Sequence, residues 1–321
     1  MEVDAICDGE RVLIPGIMEH IERTGVHSGD SMAVYPPVHL DEEERETICR
    51  HTEQIVLGMG AIGLTNIQYV VLPRDASGQP QVYVIEVNPR ASRTVPFISK
   101  VTGVPMVQLA VRAMCGESLE SQGYEGGLWP ERNLVAVKAP VFSMSKLAEV
   151  DTYLGPEMKS TGEVMGIDSA YEPALAKALV ASDLALEPGT PVLLSLSDRT
   201  KAEALPLVHA LHDAGCDLYA TEGTGAMLDA LGIPSTVVTK VLSGAHPNVV
   251  DVIEDGTVRC VLNTSENRMT GSLRDGFHIR RAAAEKRIPC FTSIDTARAA
   301  IETMRGTVTP EVARLDEYVA R

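Results

Sequence analysis

A chain of 321 residues with 45% hydrophobic content can bury a sizeable core in each of about two domains. Its net charge of −16 argues against nucleic acid or an anionic membrane as partner, because either needs a basic face; nucleotides stay compatible, since a local group of Lys, Arg and Mg2+ outweighs the global field. The six cysteines are scattered with no Cys-x-x-Cys pair, so neither a zinc site nor a disulfide framework is indicated. No apolar run approaches a membrane span, and the acidic N-terminus lacks a signal peptide's basic start. Reduced thiols in a cytoplasmic chain are the expectation.

In chain order, residues 1–14 read as the end of one strand, a turn at Asp8-Gly9-Glu10 and the start of another. His27-Ser28-Gly29-Asp30 is a polar, turn-forming tetrapeptide that suits an ordinary loop or a hold on ribose or phosphate. The spacing predicts a helix over 41–57. Asp41 caps it, Glu44 stands at the capping-box position, and acids fill the first turn, where the dipole favours them. Ile48, Ile55 and Val56 form its buried stripe, and Gly58 and Gly60 end it.

Residues 67–72 and 82–87 are runs rich in β-branched and aromatic residues on either side of a polar tip, hence a hairpin. Glu86 and Asn88 sit two apart at its end and so face the same way. A carboxylate and a carboxamide so placed can offer hard oxygen atoms to one Mg2+. Gln68 on the facing strand is a third neighbour or a plain sheet amide. Pro89 has no N–H and ends the ladder, and Arg90 and Arg93 follow at once. Oxygen ligands and arginine forks in so short a stretch point to phosphoryl transfer. The plainer alternative is an edge strand running into a solvated turn.

Pro105 suits a first helical position, which predicts a helix over 105–115 with Met106, Leu109, Ala110, Ala113 and Met114 on its apolar face. Residues 116–132 are polar and Gly-rich, and 135–142 are a strand. Residues 154–166 are a loop whose Glu157 and Glu163 make structural contacts, and 171–182 are a helix. Glu187-Pro188-Gly189 is a linker that divides a first unit, 1–187, from a second, 188–321. From Pro191 on, strands at 192–197, 216–220, 235–239, 258–263 and 288–292 alternate with helices at 201–214, 225–231, 248–254, 274–286 and 295–305. Such alternation predicts a doubly wound parallel sheet with helices on both faces. Its ligands should sit beyond the carboxyl ends of the strands. Lys201, Thr221, Thr224, Lys240, Asn263 and Ser265 fall at four of those ends, and Thr221 to Gly225 opens a helix whose N–H groups suit a phosphate.

Several of these segments resemble a known family. GIMEHIERTGVHSGDS, the Gln68 strand, VYVIEVNPRASRTVPFISKVTGVP and LGPEMKSTGEVMG are similar to the large chain of carbamoyl-phosphate synthetase, in its carboxy-terminal portion, over about residues 1–305. Glu-x-Asn alone is common to many ATP-grasp ligases, whereas EVNPRASRTVPF together with HSGDS is far narrower. The resemblance implies an α/β chain: an α+β ATP-grasp carboxy-terminal lobe, then a doubly wound methylglyoxal-synthase-like domain. It implies a ligase that uses ATP and Mg2+ (or Mn2+) to phosphorylate carbamate, within a glutamine-hydrolysing synthase of pyrimidine and arginine biosynthesis. By motif match, Gln68, Glu86 and Asn88 are metal ligands. His27, Ser28, Gln68 and Glu86 lie near the nucleotide, and Arg90 and Arg93 hold the transferred phosphoryl and the carbamate.

In the second unit the resemblance makes Lys201, Thr221, Thr224, Lys240, Asn263 and Ser265 an allosteric site for phosphate or a nucleotide monophosphate, UMP or IMP. Glu22 and Asp30 match two acids involved in ornithine activation of some bacterial members, but a third falls at Ala139. The catalytic Asp of true methylglyoxal synthases has no match in this half. Implied partners are the rest of the large chain, a glutaminase small subunit and a second copy in a homo-oligomer, with no nucleic acid and no membrane. The departure is at the start, where the family's lobe with a Gly-rich loop and lysines for ATP has no counterpart. The chain alone is therefore expected to be inactive, and a non-catalytic nucleotide sensor is the alternative reading. Biotin-carboxylase-like ligases are a more distant option, since they lack the sensor half. The tail from 307 matches nothing.

Overall fold

The computed structural model describes residues 1–143, 151–241, 244–264, 272–304 and 312–319. Its first part runs β1 (Glu2–Cys7), β2 (Val12–Ile14), β3 (Ile17–His20), β4 (Ala33–Tyr35), α1 (Glu42–Gly58), β5 (Gly63–Leu72), β6 (Gln81–Asn88), α2 (Val95–Thr102), α3 (Met106–Met114), β7 (Gly127–Leu128), β8 (Val135–Val141), β9 (Gly162–Asp168) and α4 (Tyr171–Ala181). These strands form one nine-stranded sheet in the order β6-β5-β1-β3-β4-β8-β9, with β2 on β1 and β7 on β2. Apart from the parallel β2–β7 pair, the pairings are antiparallel.

Local chemistry accounts for the elements. The capping box of α1 forms as expected, with Asp41 accepting from the Glu44 amide and Glu44 accepting from the Asp41 amide. Several elements escaped the sequence reading, among them β3, β4 and α2. β3 and β4 are too short to show a period, and α2 begins Val-Pro-Phe-Ile, which reads as extended although Pro96 sits in the first turn, where no N–H is needed. Other expectations need correction. Pro105 caps α3 rather than opening it, and Met114 is 67% exposed at its end instead of joining the buried face. Glu163 lies on β9, not in a loop, because residues 162–168 pair with β8.

The second part runs β10 (Val192–Ser195), α5 (Asp198–Asp213), β11 (Leu218–Thr221), α6 (Glu222–Ala230), β12 (Thr236–Val238), α7 (Asp251–Glu254), β13 (Cys260–Asn263), α8 (Ser272–Lys286), β14 (Cys290–Phe291), α9 (Ile294–Met304) and α10 (Leu315–Val319). The five strands are all parallel, in the order β12-β11-β10-β13-β14. Alternation along the central strands decides the two faces. Val192, Leu194, Cys260 and Leu262 share a core with α5 and α9, while Leu193 and Val261 share another with α7 and α8. The chain is thus α/β, a mixed sheet followed by a doubly wound parallel one.

The two sheets share a continuous core. Ala174, Leu175, Ala178 and Leu179 of α4 pack with Val137 and Ala139 of β8 on one side and with α9 on the other. Gly166 of β9 lets α4 approach so closely that a Cβ there would lie 2.0 Å from the Ala174 carbonyl oxygen. Helix α10 gives the tail a place: Tyr318 is buried, and Lys177 of α4 donates to its hydroxyl at 3.0 Å and pairs with Asp168 at 2.8 Å. No described helix is long and apolar enough to cross a membrane.

Candidate active site

Three adjacent strands, β1, β5 and β6, present two polar ladders on one face. Glu2 stands opposite Gln68, which stands opposite Glu86, while Asp4 stands opposite Asn66, which stands opposite Asn88. A bulge helps set this register. Gln68 pairs with Glu86 but Tyr69 pairs with Val84, so Ile85 is an extra residue on β6. Gln68 Nε2 donates to Glu86 Oε1 at 2.8 Å, and Asn88 Nδ2 donates to the same oxygen at 3.0 Å. The expected trio of Gln68, Glu86 and Asn88 therefore converges on one point.

That donor set suits a hard cation. Turning either amide over would bring its oxygen toward Glu86, and one carboxylate with a few neutral oxygens matches how Mg2+ is held beside substrate phosphates. Among the described residues, no group of three His, Cys, Asp or Glu side chains could hold a metal ion. The fit rests on this mixed set.

Beneath the exposed ladder end lies a buried one. Asn66 Nδ2 donates to Glu2 at 2.8 Å and to Asp4 at 2.9 Å, Thr94 donates to Asp4 at 2.5 Å, and His20 meets Glu2 at 2.8 Å. Burial raises both carboxyls. The His20 hydrogen bond and the Lys138 charge nevertheless hold Glu2 below its ordinary range, whereas burial together with the charge of Glu2 keeps Asp4 above its own. Lys138 is itself fully buried, with Nζ 3.1 Å from the Ser28 carbonyl oxygen. Burial lowers its ammonium group against the pull of Glu2, Glu163 and Glu22. Sequence reading missed Glu2, Asp4, Asn66, Thr94 and Lys138. The alternation Glu-Val-Asp-Ala and Asn-Ile-Gln was the available signal, since it puts polar groups on one face of a buried strand.

His27 and Ser28 belong to a one-turn 3-10 helix, Ser28–Asp30, which His27 caps by accepting from the Gly29 amide at 3.0 Å. Ser28 Oγ accepts from Gln68 at 2.8 Å, tying this turn to the ladder. Both residues line a cavity of about 540 Å3 with Gln68 and Glu86, and an adjoining one of about 310 Å3 with Arg90 and Arg93. Arg90 is exposed. Arg93 is held by Ser160 Oγ at 3.2 Å and the Gly162 carbonyl at 3.3 Å. Asp30 accepts from the Lys159 and Ser160 amides, both at 2.8 Å, and Glu22 accepts from the Met32 amide at 2.7 Å and the Thr296 hydroxyl at 2.8 Å. Glu22 and Asp30 also line a cavity of about 390 Å3 between the two sheets.

In the second part, Lys201, Thr221, Thr224, Lys240 and Asn263 line one cavity of about 250 Å3 at the carboxyl ends of the strands. Lys201 pairs with Asp198 at 2.6 Å, and the Thr224 hydroxyl accepts from the Leu196 amide at 3.0 Å. Thr264, also in this cavity, accepts from the Ser197 amide at 2.9 Å. Ser265 lies outside the described residues. Arg280 of α8 lines this cavity too, and sequence reading had not singled it out.

Residues 1–122 match the family of the carbamoyl-phosphate synthase L chain ATP-binding domain, and residues 203–292 match the MGS-like domain. The carbamoyl phosphate synthase large chain of Thermomicrobium roseum is 56% identical over 306 residues, covering 95% of this chain and 28% of that protein. The chain thus spans less than a third of that relative's length. Among solved structures, the biotin carboxylase domain of a single-chain bacterial carboxylase matches with a TM-score of 0.44 at 18% identity, over 56% of this chain and 46% of that one. That of a thermophilic 2-oxoglutarate carboxylase bound to ADP matches with a TM-score of 0.40 at 15% identity, over 56% and 44%. With both domain families matched in order and one relative aligned along nearly the whole sequence, the chain belongs to the carbamoyl phosphate synthase large-chain family, as a counterpart of its carboxy-terminal portion.

Proposed function

We propose that this chain is the carbamate-phosphorylating part of a glutamine-hydrolysing carbamoyl-phosphate synthase, with the division into synthetase and regulatory units at 187–188. One observation carries the reading: Gln68, Glu86 and Asn88 meet at a single carboxylate oxygen, beside a cavity that holds Arg90 and Arg93. Carbamate is already an anion and a nucleophile, so its oxygen can form the new P–O bond to the terminal phosphorus of ATP as ADP leaves, without a base. Arg90 and Arg93 are permanent cations placed to neutralise the charge that moves with the phosphoryl group. Mg2+ or Mn2+ held by Gln68, Glu86 and Asn88 would neutralise the phosphate oxygens. His27 and Ser28 form the wall against the nucleotide. The buried Thr94–Glu2–Asp4 network fixes the end of the loop that carries both arginines.

On this reading the partners are the remainder of a large chain and a glutaminase small subunit, the setting is cytoplasmic, and the product serves pyrimidine and arginine synthesis. The cavity of Lys201, Thr221, Thr224, Lys240 and Asn263 is the allosteric pocket for UMP or IMP. Ornithine control through Glu22 and Asp30 is weakened by Ala139 at the third acid position. A second reading, a nucleotide sensor without chemistry of its own, draws on that pocket being lined wholly by residues between 195 and 280. Titration with Mn2+ followed by electron paramagnetic resonance separates the two. The enzyme reading expects a site in the native chain that weakens at least tenfold in Glu86→Gln; equal binding in both would overturn it.

A further inference from the structure

One stretch of chain lines both cavities of the candidate active site, through Pro156 and Met158, and meets Arg280 in the wall of the regulatory cavity through Asp151. Residues 151–162 run from the regulatory half to the floor of the phosphoryl-transfer site. At the near end, Arg280 is 2% exposed, and its Nη1 donates to Asn263 Oδ1 at 2.5 Å, at the rim of the phosphate cavity. The other edge of the same guanidinium donates through Nε and Nη2 to the two oxygens of Asp151, both at 2.6 Å, and its carbon lies 5.7 Å from the centre of the Tyr153 ring. At the far end, the Gly155 carbonyl accepts from the His27 amide at 2.8 Å, the Lys159 and Ser160 amides hold Asp30, and Ser160 Oγ and the Gly162 carbonyl hold Arg93.

Resting on the effector reading of the second cavity, we propose that Asp151 and Arg280 are positioning residues that couple occupancy of that cavity to the His27–Asp30 turn and to Arg93 through residues 151–162. The physical basis is competition for one buried guanidinium. Its planar fork is filled on one edge by Asp151 and faces the cavity on the other. A phosphate monoester entering beside Asn263 brings a second anion to the same cation and changes how firmly the fork holds Asp151. Burial alone would raise the Asp151 carboxyl, yet the Arg280 fork outweighs burial and keeps it below its ordinary range, so this contact responds to whatever the arginine does. By reciprocity, a ligand that orders Arg93 alters affinity in the regulatory cavity by the same factor.

The test is amide hydrogen exchange at Lys159 and Ser160, the two amides bound to Asp30, with and without UMP, beside calorimetric titration of UMP and inorganic phosphate. In the native chain UMP should change exchange at these amides threefold or more. In Asp151→Asn, which leaves the cavity walls intact, UMP should bind within about threefold of native while the exchange response disappears. Arg280→Lys, which keeps the charge but not the fork, is the second variant should the first fail to fold; it too should lose the response. UMP binding with no response in the native chain, or a response that survives both substitutions, overturns the relay alone. No heat from either UMP or phosphate in the native chain overturns the effector reading, and the relay with it.

Discussion

Glu22 is buried between the two halves, with one oxygen on the Met32 amide and the other on the Thr296 hydroxyl of α9. Burial pushes its carboxyl up to about 7 from an ordinary 4.5, against the lowering effect of those hydrogen bonds. Between these values the folded chain keeps a proton that the unfolded chain has released. The contribution to stability is therefore full below pH 4.5 and is lost as pH rises through about 7. At about 1.4 kcal/mol per tenfold in proton affinity, the full loss is about 3 kcal/mol. Glu22→Gln removes the charge while its amide can still accept from Met32 and donate to Thr296. Urea unfolding of both proteins from pH 4.5 to 8.5 isolates the term, because the remaining groups titrate alike in each. The difference should be near zero at pH 4.5 and grow to about 3 kcal/mol in favour of Gln by pH 8. A difference that is flat across pH, or that favours the native chain increasingly as pH rises, would refute the reasoning.

Three further outcomes are expected. Gly166→Ala drives a methyl into the backbone of α4, with the Ala174 oxygen at 2.0 Å and the Ala178 nitrogen at 2.6 Å; it should cost about 3 kcal/mol in denaturant unfolding. Asp41→Ala removes half of the α1 capping box and should cost about 1 kcal/mol, read from the unfolding midpoint. Lys201→Met should weaken phosphate binding about tenfold by calorimetry. It should leave thermal stability nearly unchanged, because the Asp198 partner is 83% exposed and returns to water when the lysine is removed.

Much of this protein was legible in its local chemistry. The capping box of α1, the hairpin of β5 and β6, and the alternation of strand and helix after Pro191 all follow from periods of 3.6 and 2 and from turn residues, which act over a few positions. The exposed half of the candidate site was legible for the same reason, since Glu86, Asn88, Arg90 and Arg93 lie within eight consecutive residues. What lay beyond reach depends on pairings between distant segments. Glu2 and Asp4 join the site only because β1 lies beside β5 in one register, and Glu86 meets Gln68 across a bulge at Ile85 that no period announces. Asp151 and Arg280 are 129 residues apart, and nothing local marks either one. A residue's own neighbours decide which element it joins and which face it takes; which buried charge it meets is decided by register and by packing between elements, and only the tertiary structure supplies those.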